Sequence, residues 1–349
     1  MESHLAIAVD VGGMHISAAL LDLKGKLTHK VRLPSRPHQT SPVIINGIKK
    51  AAKQVLKTSG RSISEIIGIG IGCPGSIDER GIALAATPHI SGWRGTRLKQ
   101  EIGKEFGLPV SVDNDANLAA LGEKYFGAGR KVKSLVCFTL GTGVGGGVII
   151  NGRIHRGSFS YAGEVGHLVI KGNNLRCHCG QTGCLETLAG AAGVVRRATV
   201  ALENYISKCH CDPDPPQADY RGKQSRKKNS LIFKMARGNL KNITAKMIFD
   251  AARRGDRLAK TVVQETGWYL GAAVSQVINI LDPELIVLGG AMAQAGEILF
   301  RPIRQVAFAH IIPSPVRRVK IVPAQLGENA GLYGAATLVF QQNGYNCVL

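Results

Sequence analysis

One histidine and three cysteines lie close together near the middle of the chain, in an arrangement suited to binding a metal. His167 is followed by Cys177, Cys179 and Cys184, which gives the spacing H-x9-C-x-C-x4-C. One imidazole and three thiolates form the ligand set of closed tetrahedral zinc sites, and thiolates favour zinc over magnesium or calcium. A full ligand set leaves no position for a metal-bound hydroxide, so we predict a structural Zn2+ ion. His178 is the competing histidine, and reduced cysteines without metal are the alternative.

Two acidic residues bracket this cysteine loop. Glu164 precedes His167 by three positions, and Glu186 follows Cys184 by two. Carboxylates on a rigid loop accept hydrogen bonds strongly and directionally, which suits a ligand with many hydroxyl groups, such as a sugar. The alternative is ordinary surface charge.

Two glycine-rich turns have the composition of phosphate-binding sites. Gly12 and Gly13 follow Asp10, and the second turn begins with Gly141-Thr142-Gly143. Glycines expose backbone N–H groups that cradle phosphate oxygens. Neither turn has the G-x-x-x-x-G-K-[ST] pattern, so a P-loop enzyme is not supported. Asp10, at the end of an apolar stretch, is suited to Mg2+, which prefers few carboxylates and several waters.

Asp115 is the candidate general base. It follows the apolar stretch 108–112 and has Asp113 and Asn114 beside it. A carboxylate at a strand end projects into a cleft, and phosphoryl transfer needs such a group to take the acceptor hydroxyl's proton. An Asp-Asn-Asp sequence by itself is more often a simple turn.

The elements that must position these residues follow from the hydrophobic pattern. A strand, a glycine turn and a strand occur twice, near residues 6–22 and 134–152, which predicts an internal duplication rather than two unrelated hairpins. The other predicted strands are 66–72, 108–112 and 285–288. The predicted helices are 42–58, 96–106, 185–206, 243–281 and 329–340. The glycine turn of the second hairpin is predicted to run from 141 to 147.

Residues 208–237 differ in composition from the rest of the chain. They hold eight Lys or Arg, three Asp and several prolines, so we predict an exposed insertion. Cys209-His210-Cys211 resembles half of a metal site but has no second pair nearby, which favours a surface loop.

The composition bounds the function classes. Hydrophobic residues make up 44% of the 349 residues, which excludes wholesale disorder and suits about two domains. No window approaches about 18 uninterrupted apolar residues, and the start lacks a secretory signal, so we expect a cytoplasmic protein with no membrane partner. The net charge of +20 suits anionic partners. Charged residues dispersed over a surface usually serve only to interact with water, so we predict no specific nucleic-acid partner.

The stretch from Glu164 to Glu186 resembles the signature of the ROK family, which comprises repressors, uncharacterised reading frames and sugar kinases. Further similar motifs cover nearly the whole chain outside the basic insertion. They are Asp10-Val-Gly-Gly13, Gly92-Trp93, Asp113-Asn-Asp-Ala-Asn117, Leu140-Gly-Thr-Gly-Val-Gly-Gly-Gly147, Gly289-Gly290 and Leu326-Gly-Glu-Asn-Ala-Gly-Leu-Tyr-Gly-Ala-Ala336. The cysteine signature with its carboxylates is specific, whereas the glycine motifs alone are not.

The resemblance implies an α/β, actin-like (ribonuclease-H-like) ATPase fold with two domains and a cleft between them. The expected domains are 1–117 plus 328–349, and 118–327 with the zinc loop and the basic insertion. The implied activity is ATP-dependent phosphorylation of a hexose, most commonly glucose, on its 6-hydroxyl. A homodimer is expected.

The resemblance also implies residue roles. Asp115 would be the general base. The sugar would be held by Gly75, Thr87, His89, Asn114, Asp115, Glu164, His167 and Glu186. Mg2+ and the phosphates would be handled by Asp10, Gly12, Gly13, Met14, His15, Gly141, Thr142 and Gly143, and the adenosine by Gly289 and Gly290. His167 would place one ring nitrogen on zinc and offer the other to a sugar hydroxyl.

Three positions depart from the family pattern. The first motif usually reads D-x-G-G-T-K, and Met14 and His15 replace its Thr and Lys, which removes a hydroxyl and a fixed charge. His89 stands where glucokinases of the family usually carry Asn. An N-acetylhexosamine (N-acetylmannosamine or N-acetylglucosamine) or fructose is therefore an alternative acceptor. A sugar-sensing transcription regulator is the alternative from another class, disfavoured because the first strand begins by Leu5 and leaves no room for a helix-turn-helix.

Overall fold

A computed structural model describes residues 4–35, 39–87, 90–207 and 230–345. Its strands are β1 (Leu5–Val11), β2 (His15–Asp22), β3 (Leu27–Pro34), β4 (Gln39–Thr40), β5 (Ile66–Cys73), β6 (Ile90–Ser91), β7 (Val110–Asn114), β8 (Leu135–Leu140), β9 (Val144–Ile150), β10 (Arg153–Ile154), β11 (Leu285–Gly289) and β12 (Lys320–Pro323). Its α-helices are α1 (Ser41–Ser59), α2 (Leu98–Phe106), α3 (Asp115–Phe126), α4 (Glu186–Ala189), α5 (Ala191–Ser207), α6 (Leu231–Met235), α7 (Ala245–Arg253), α8 (Arg257–Leu281), α9 (Glu297–His310) and α10 (Ala330–Gln342).

Two five-stranded sheets have the same topology. The first has the order β3-β2-β1-β5-β7 and the second the order β10-β9-β8-β11-β12. In each sheet an antiparallel hairpin is followed by strands parallel to its first strand. The duplication predicted from the two glycine hairpins is therefore confirmed at the level of the sheets.

Alternating glycines in β5 let a helix pack directly on the first sheet. The strand reads Ile-Ile-Gly-Ile-Gly-Ile-Gly-Cys, and the isoleucines at 69 and 71 are fully buried. A Cβ on Gly70 would lie 2.0 Å from the carbonyl oxygen of Ala335 in α10. Since a strand places successive side chains on opposite faces, the glycine face admits α10 and the isoleucine face builds the core.

The helices α3 and α10 pack against each other in a layer between the sheets. One apolar cluster joins residues of β1, α3, β8 and α10, including Ala8, Leu121, Cys137 and Ala335. The predicted boundary between the two domains, at residues 117 and 118, falls inside α3, so this helix belongs to both predicted domains. The domain limits stay a prediction. Within the described ranges, no helix is both long and apolar enough to cross a membrane.

Three predicted elements are shorter or less continuous in the structure than the sequence pattern indicates. The predicted helix 243–281 is two helices, because residues 254–256 turn the chain and Asp256 caps α8 by accepting from the N–H of Ala259 (2.9 Å). The helix predicted at 185–206 breaks at Gly190, whose backbone is extended. The second glycine turn ends at Gly143 rather than 147, since Val144 already pairs in β9.

The basic insertion is only partly described. Residues 208–229, with Cys209, His210 and Cys211, lie outside the described residues. The prediction of an exposed segment is wrong for its end, because α6 forms there and Ile232 is fully buried. The apolar residues of Leu-Ile-Phe-Lys-Met supply the burial that stabilises this short helix.

Candidate active site

Asp115 stands at the junction between β7 and α3. The side chain of Asn114 caps the helix, accepting from the N–H groups of Ala116 (2.9 Å) and Asn117 (3.1 Å). Asp115 is the first helical residue, and one of its carboxylate oxygens also accepts from the Ala116 N–H (2.9 Å). The strand and the N-cap together therefore fix the direction of the Asp115 carboxylate.

Asp115 and Asp10 are neighbouring buried carboxyl groups with raised pKa values. Burial raises the pKa of Asp115 to about 6, with Glu164 adding to the rise and the Ala116 N–H opposing it. Burial also raises the pKa of Asp10 to about 7, with Asp115 adding and Lys30 opposing. A Cβ on Gly72 would lie 3.3 Å from an Asp10 oxygen and 3.7 Å from the Asp115 Cα, so only a glycine separates them.

The predicted zinc ligands come together. Nδ1 of His167 lies 3.8 Å from the Cys177 sulfur, and the sulfurs of Cys179 and Cys184 lie 3.7 Å apart. All four ligand atoms fall within 4.8 Å of one another. Tetrahedral zinc with bonds of about 2.3 Å to sulfur places its sulfur ligands about 3.8 Å apart. The donor set and its spacing therefore fit zinc.

The competing histidine also lies beside the cluster, with its Nδ1 3.8 Å from the Cys177 sulfur. Nδ1 of His178 lies 3.0 Å from Oε1 of Glu186, so the pair forms a contact of its own. Cys177, His178 and Glu186 form a second group that could hold a metal, but it has one thiolate against three in the first group. Because thiolates suit zinc better than a carboxylate does, the set of three thiolates favours His167 as the fourth ligand.

Glu186 also connects the cysteine loop to the second glycine turn. Its Oε2 accepts from the N–H of Val144 (3.1 Å). A Cβ on Gly143 would lie 1.9 Å from the same oxygen, which explains the glycine there. Glu186 thus contacts both the second glycine turn and His178. Glu164 lies beside the other histidine, with its Oε2 3.8 Å from Nε2 of His167.

The first glycine turn is open to solvent. Its backbone closes through the N–H of Gly12, which donates to the carbonyl of His15 (2.9 Å). A Cβ on Gly13 would meet nothing within 4 Å, and the Met14 side chain is 70% exposed. Asp10 lies at one side of this turn, packed on Gly331 of α10. The turn therefore offers open backbone beside a carboxylate.

The remaining predicted sugar and adenosine residues occupy different places. The Asn114 amide donates to the carbonyl of Gly75 (3.1 Å), which brings these two together. Thr87 forms a bridge with Ile90 on the loop after β5, and His89 lies outside the described residues. Gly290 adopts φ 86°, and a Cβ there would lie 2.4 Å from the Leu140 carbonyl oxygen. The ends of β8 and β11, with Gly289, thus meet beside the second turn.

Sequence reasoning missed an ion pair next to the base. Arg156 donates to Oδ2 of Asp113 from Nε (2.7 Å) and Nη2 (2.6 Å). The other Asp113 oxygen accepts from the Asn114 N–H and from the Asn117 amide. Asp113 is only 2% exposed, and a buried carboxylate needs such partners. The pair ties the loop that leads to Glu164 to the strand that carries Asp115.

The chain is similar over its whole length to known proteins. The model of the ROK family matches residues 6–342. A glucokinase of Halalkalibacterium halodurans is 38% identical, over 98% of this chain and 97% of that protein, and one of Thermotoga maritima is 35% identical, over 97% and 98%.

A solved structure supports the same relation. The crystal structure of a ROK family glucokinase from Streptomyces griseus, in complex with glucose and AMPPNP, has a TM-score of 0.78 and 33% identity, covering 97% of this chain and 99% of that one. Together with the repeated sheet, this similarity confirms the predicted α/β, actin-like ATPase fold with two domains.

Proposed function

The chain belongs to the ROK family, and we propose that it is an ATP-dependent glucokinase that phosphorylates the 6-hydroxyl of glucose. The observation that carries the proposal is full-length similarity to glucokinases combined with a retained base: Asp115 stands at the helix start with a raised pKa of about 6. The second glycine turn is also retained.

Asp115 acts as the general base. At neutral pH a carboxyl group with a pKa of about 6 is mostly ionised, yet basic enough to accept a proton from a hydroxyl group. The sugar oxygen attacks the terminal phosphorus of ATP, the bond to ADP breaks, and the hydroxyl proton passes to Asp115. Turnover should therefore rise with pH through about 6 as Asp115 loses its proton.

The sugar is held from both halves of the molecule. Asn114, with Gly75 beside it, approaches from the first sheet, and Glu164 and His167 approach from the cysteine loop. Nδ1 of His167 faces the cysteines, which leaves Nε2 to donate to a sugar hydroxyl. Glu186, Thr87 and His89 complete the proposed sugar contacts.

The metals have separate roles. Zinc, held by His167, Cys177, Cys179 and Cys184, would keep the sugar loop in shape and orient the His167 ring. Asp10 would hold Mg2+, which neutralises phosphate charge when bound.

Backbone N–H groups would hold the nucleotide. The phosphate contacts are assigned to Gly12, Gly13, Met14, His15, Gly141, Thr142 and Gly143, and the adenosine contacts to Gly289 and Gly290. ATP as donor and thiolates kept reduced for zinc both suit the cytoplasm, which we propose as the location. We also propose a homodimer, which sedimentation velocity would test.

The test is ADP release from Mg-ATP with glucose, mannose, fructose, N-acetylglucosamine or N-acetylmannosamine. Fastest turnover on glucose supports the proposal and shows that Met14, His15 and His89 are compatible with it. Fastest turnover on another sugar keeps the kinase mechanism and changes the substrate. Sugar binding without turnover on any of them overturns the kinase assignment.

A further inference from the structure

The first glycine turn has no fixed positive charge of its own. From Asp10 to His15 the chain contains neither Lys nor Arg, and the side chain after the glycines is the exposed Met14. Terminal phosphates carry most of the negative charge of a nucleotide, and kinases generally place Lys or Arg against them. The neighbouring elements are therefore where such a charge must come from.

Strand β3 brings two cations to this turn. Asp10 pairs with Ser17 across β1 and β2, and Ser17 pairs with Arg32 across β2 and β3. Directly opposed residues of neighbouring strands project from the same face of a sheet, so Arg32 shares a face with Asp10. The guanidinium of Arg32 reaches Nδ1 of His15 at 3.1 Å, which places it at the turn.

Lys30, on the same strand, lies on the other flank of Asp10. It donates to Oδ1 of Asn329 (2.7 Å), immediately before α10. Gly331, two residues further on, is the residue on which the Asp10 carboxylate packs. The positive charge of Lys30 opposes the rise in the pKa of Asp10, as expected of a cation close to that carboxyl group.

One carboxylate holds both cations. Oε1 of Glu328 lies 2.5 Å from Nζ of Lys30, and its Oε2 lies 3.7 Å from Nη1 of Arg32. Glu328 carries one negative charge against two positive charges, and the nearby Asp10, with its pKa raised to about 7, is only partly ionised at neutral pH. A net positive charge therefore remains. The side chains of Arg32 and Glu328 are 52% and 66% exposed, so an incoming anion can reach them.

We propose that Arg32 and Lys30 bind the terminal phosphates of the donor nucleotide, and that Glu328 is the carboxylate they release when phosphate arrives. This inference rests on the proposed function, since it assumes that ATP places its phosphates at the first glycine turn. Arg suits this role because its planar guanidinium binds phosphate through two N–H groups at once. Met14 and His15 then need not supply the missing charge.

A purely structural ion pair between β3 and α10 is the alternative. Exposed ion pairs contribute little to stability, and such a pair would be equally weakened by removing the acid or the base. Phosphate binding predicts opposite effects instead, because removing Glu328 frees the cations. The sign of the Glu328 effect on nucleotide affinity therefore separates the two roles.

The experiment is calorimetric titration of the full chain with AMPPNP, ADP or AMP, each with Mg2+ and saturating glucose. Arg32→Ala and Lys30→Ala should each weaken AMPPNP binding by about tenfold or more, weaken ADP binding less, and leave AMP binding unchanged. Glu328→Gln should tighten AMPPNP binding. The exposed pair of Arg61 and Glu65 supplies the matched controls Arg61→Ala and Glu65→Gln, which should bind as the wild type does.

Glucose affinity, measured in the same samples, verifies that each variant is folded. Unchanged AMPPNP affinity in Arg32→Ala and Lys30→Ala would overturn the inference while the proposed glucokinase function stood. Equal losses for AMPPNP and AMP would also overturn it, because the effect would then lie at the nucleoside. A wild type that binds glucose but no nucleotide would overturn the inference together with the assignment of ATP as donor.

Discussion

Two aspartates at the end of β7 have the same chemistry but different surroundings. Asp113 is saturated by Arg156, Asn117 and a backbone N–H, which makes it a structural anion. Asp115, two residues later, accepts from the Ala116 N–H at the helix start, but burial outweighs this bond and raises its pKa. Burial and partners, rather than residue type, thus separate the structural carboxylate from the proposed base.

Replacing Asp115 by Asn should abolish most turnover. The amide oxygen can still accept from the Ala116 N–H, so the helix start is retained while the proton acceptor is lost. We expect kcat to fall by about 100-fold or more with little change in glucose affinity or zinc content. Steady-state kinetics, glucose titration and metal analysis measure these quantities. Asp282→Asn, at an exposed helix end, is the matched control, and near-normal turnover of Asp115→Asn would remove Asp115 from the base role.

The raised pKa values predict how stability depends on pH. Asp10 and Asp115 have pKa values of about 7 and about 6 in the folded chain, above the value of about 3.9 expected when unfolded. Between these values the folded state binds more protons than the unfolded state. The free energy of unfolding of the ligand-free protein should therefore decrease as pH rises from about 4 to about 7.

Denaturant unfolding across this pH range measures how the free energy of unfolding changes with pH. The variant Asp10→Asn shows how much of that change comes from Asp10. The asparagine cannot titrate, so the decrease with pH should be smaller in this variant than in the wild type. Histidines elsewhere titrate equally in both proteins, so subtracting one pH dependence of the free energy of unfolding from the other removes their contribution. A variant that loses stability with pH as steeply as the wild type would contradict the assignment of a raised pKa to Asp10.

At the scale of elements, the cysteine loop is an irregular segment that both side-chain and backbone hydrogen bonds hold in shape. It is held by the Asn173 amide, which donates to the Cys184 carbonyl (3.0 Å) and to Oγ1 of Thr187 (2.9 Å). Gly183, with φ 96°, makes the turn before Cys184. Backbone bonds, such as those from the N–H of Cys177 to the Gln181 carbonyl (2.8 Å) and from the N–H of Ile170 to the Gly183 carbonyl (2.9 Å), shape the loop as well. The proposed zinc would add a link from the cysteines to His167.

Removing one thiolate should release the metal and loosen this loop. Cys179→Ser is expected to lose zinc, to lower the melting temperature and to weaken glucose binding, because Glu164 and His167 lose their positions. His178→Asn is the informative partner: His178 lies near Cys177 and Glu186 but is not one of the four proposed ligands, so this variant should retain zinc. Metal analysis and glucose titration measure both. One zinc per chain with unchanged kinetics in Cys179→Ser would exclude a structural zinc at these residues.

The crossing of α3 and α10 depends on glycines that admit close backbone contact. A Cβ on Gly334 would lie 1.8 Å from the carbonyl oxygen of Leu118. Gly334→Ala should therefore force the helices apart and lower the free energy of unfolding by about 1–3 kcal/mol, as overpacking does.

A helical glycine with room for a side chain is the control. A Cβ on Gly103 in α2 would meet its nearest atom at 3.7 Å, so Gly103→Ala should raise the free energy of unfolding by about 0.5–1 kcal/mol. Denaturant unfolding of both variants gives the two values. Destabilisation of equal size in both would show that the helix crossing is not specially close.

At the scale of the whole molecule, the sugar site joins the two halves. Asn114 and Asp115 belong to the end of the first sheet, whereas Glu164 and His167 follow the hairpin of the second. The ion pair of Asp113 with Arg156 connects the same two places. A ligand bound between them should therefore stabilise both halves together.

Glucose should consequently protect the protein as one unit. At a concentration of about 100 times Kd, a ligand that binds only the folded state adds about 2.7 kcal/mol to the free energy of unfolding. We expect a single thermal transition that glucose shifts upward as a whole, with no shift from equimolar glycerol. Calorimetry would contradict this expectation if glucose moved only one of two separate transitions.

The sequence by itself determined the features that depend on local spacing. The glycine hairpins, the strand ends carrying Asp10 and Asp115, and the cysteine ligands were predictable, because strand periodicity, turn chemistry and ligand spacing act within a few residues. The repeated hairpin was also sufficient to predict the duplicated sheet.

Only the tertiary structure decided the contacts between distant segments. Arg156 meets Asp113 from 43 residues away, and Lys30 meets Glu328 across 298 residues. Glu186 turns toward His178 and the second glycine turn, and the helices break at Gly190 and near Asp256. The helix breaks carry local signals, since Gly190 and the capping Asp256 both disfavour a continuous helix. No local pattern encodes which charges meet, because that depends on how the two sheets and the helices between them pack in space.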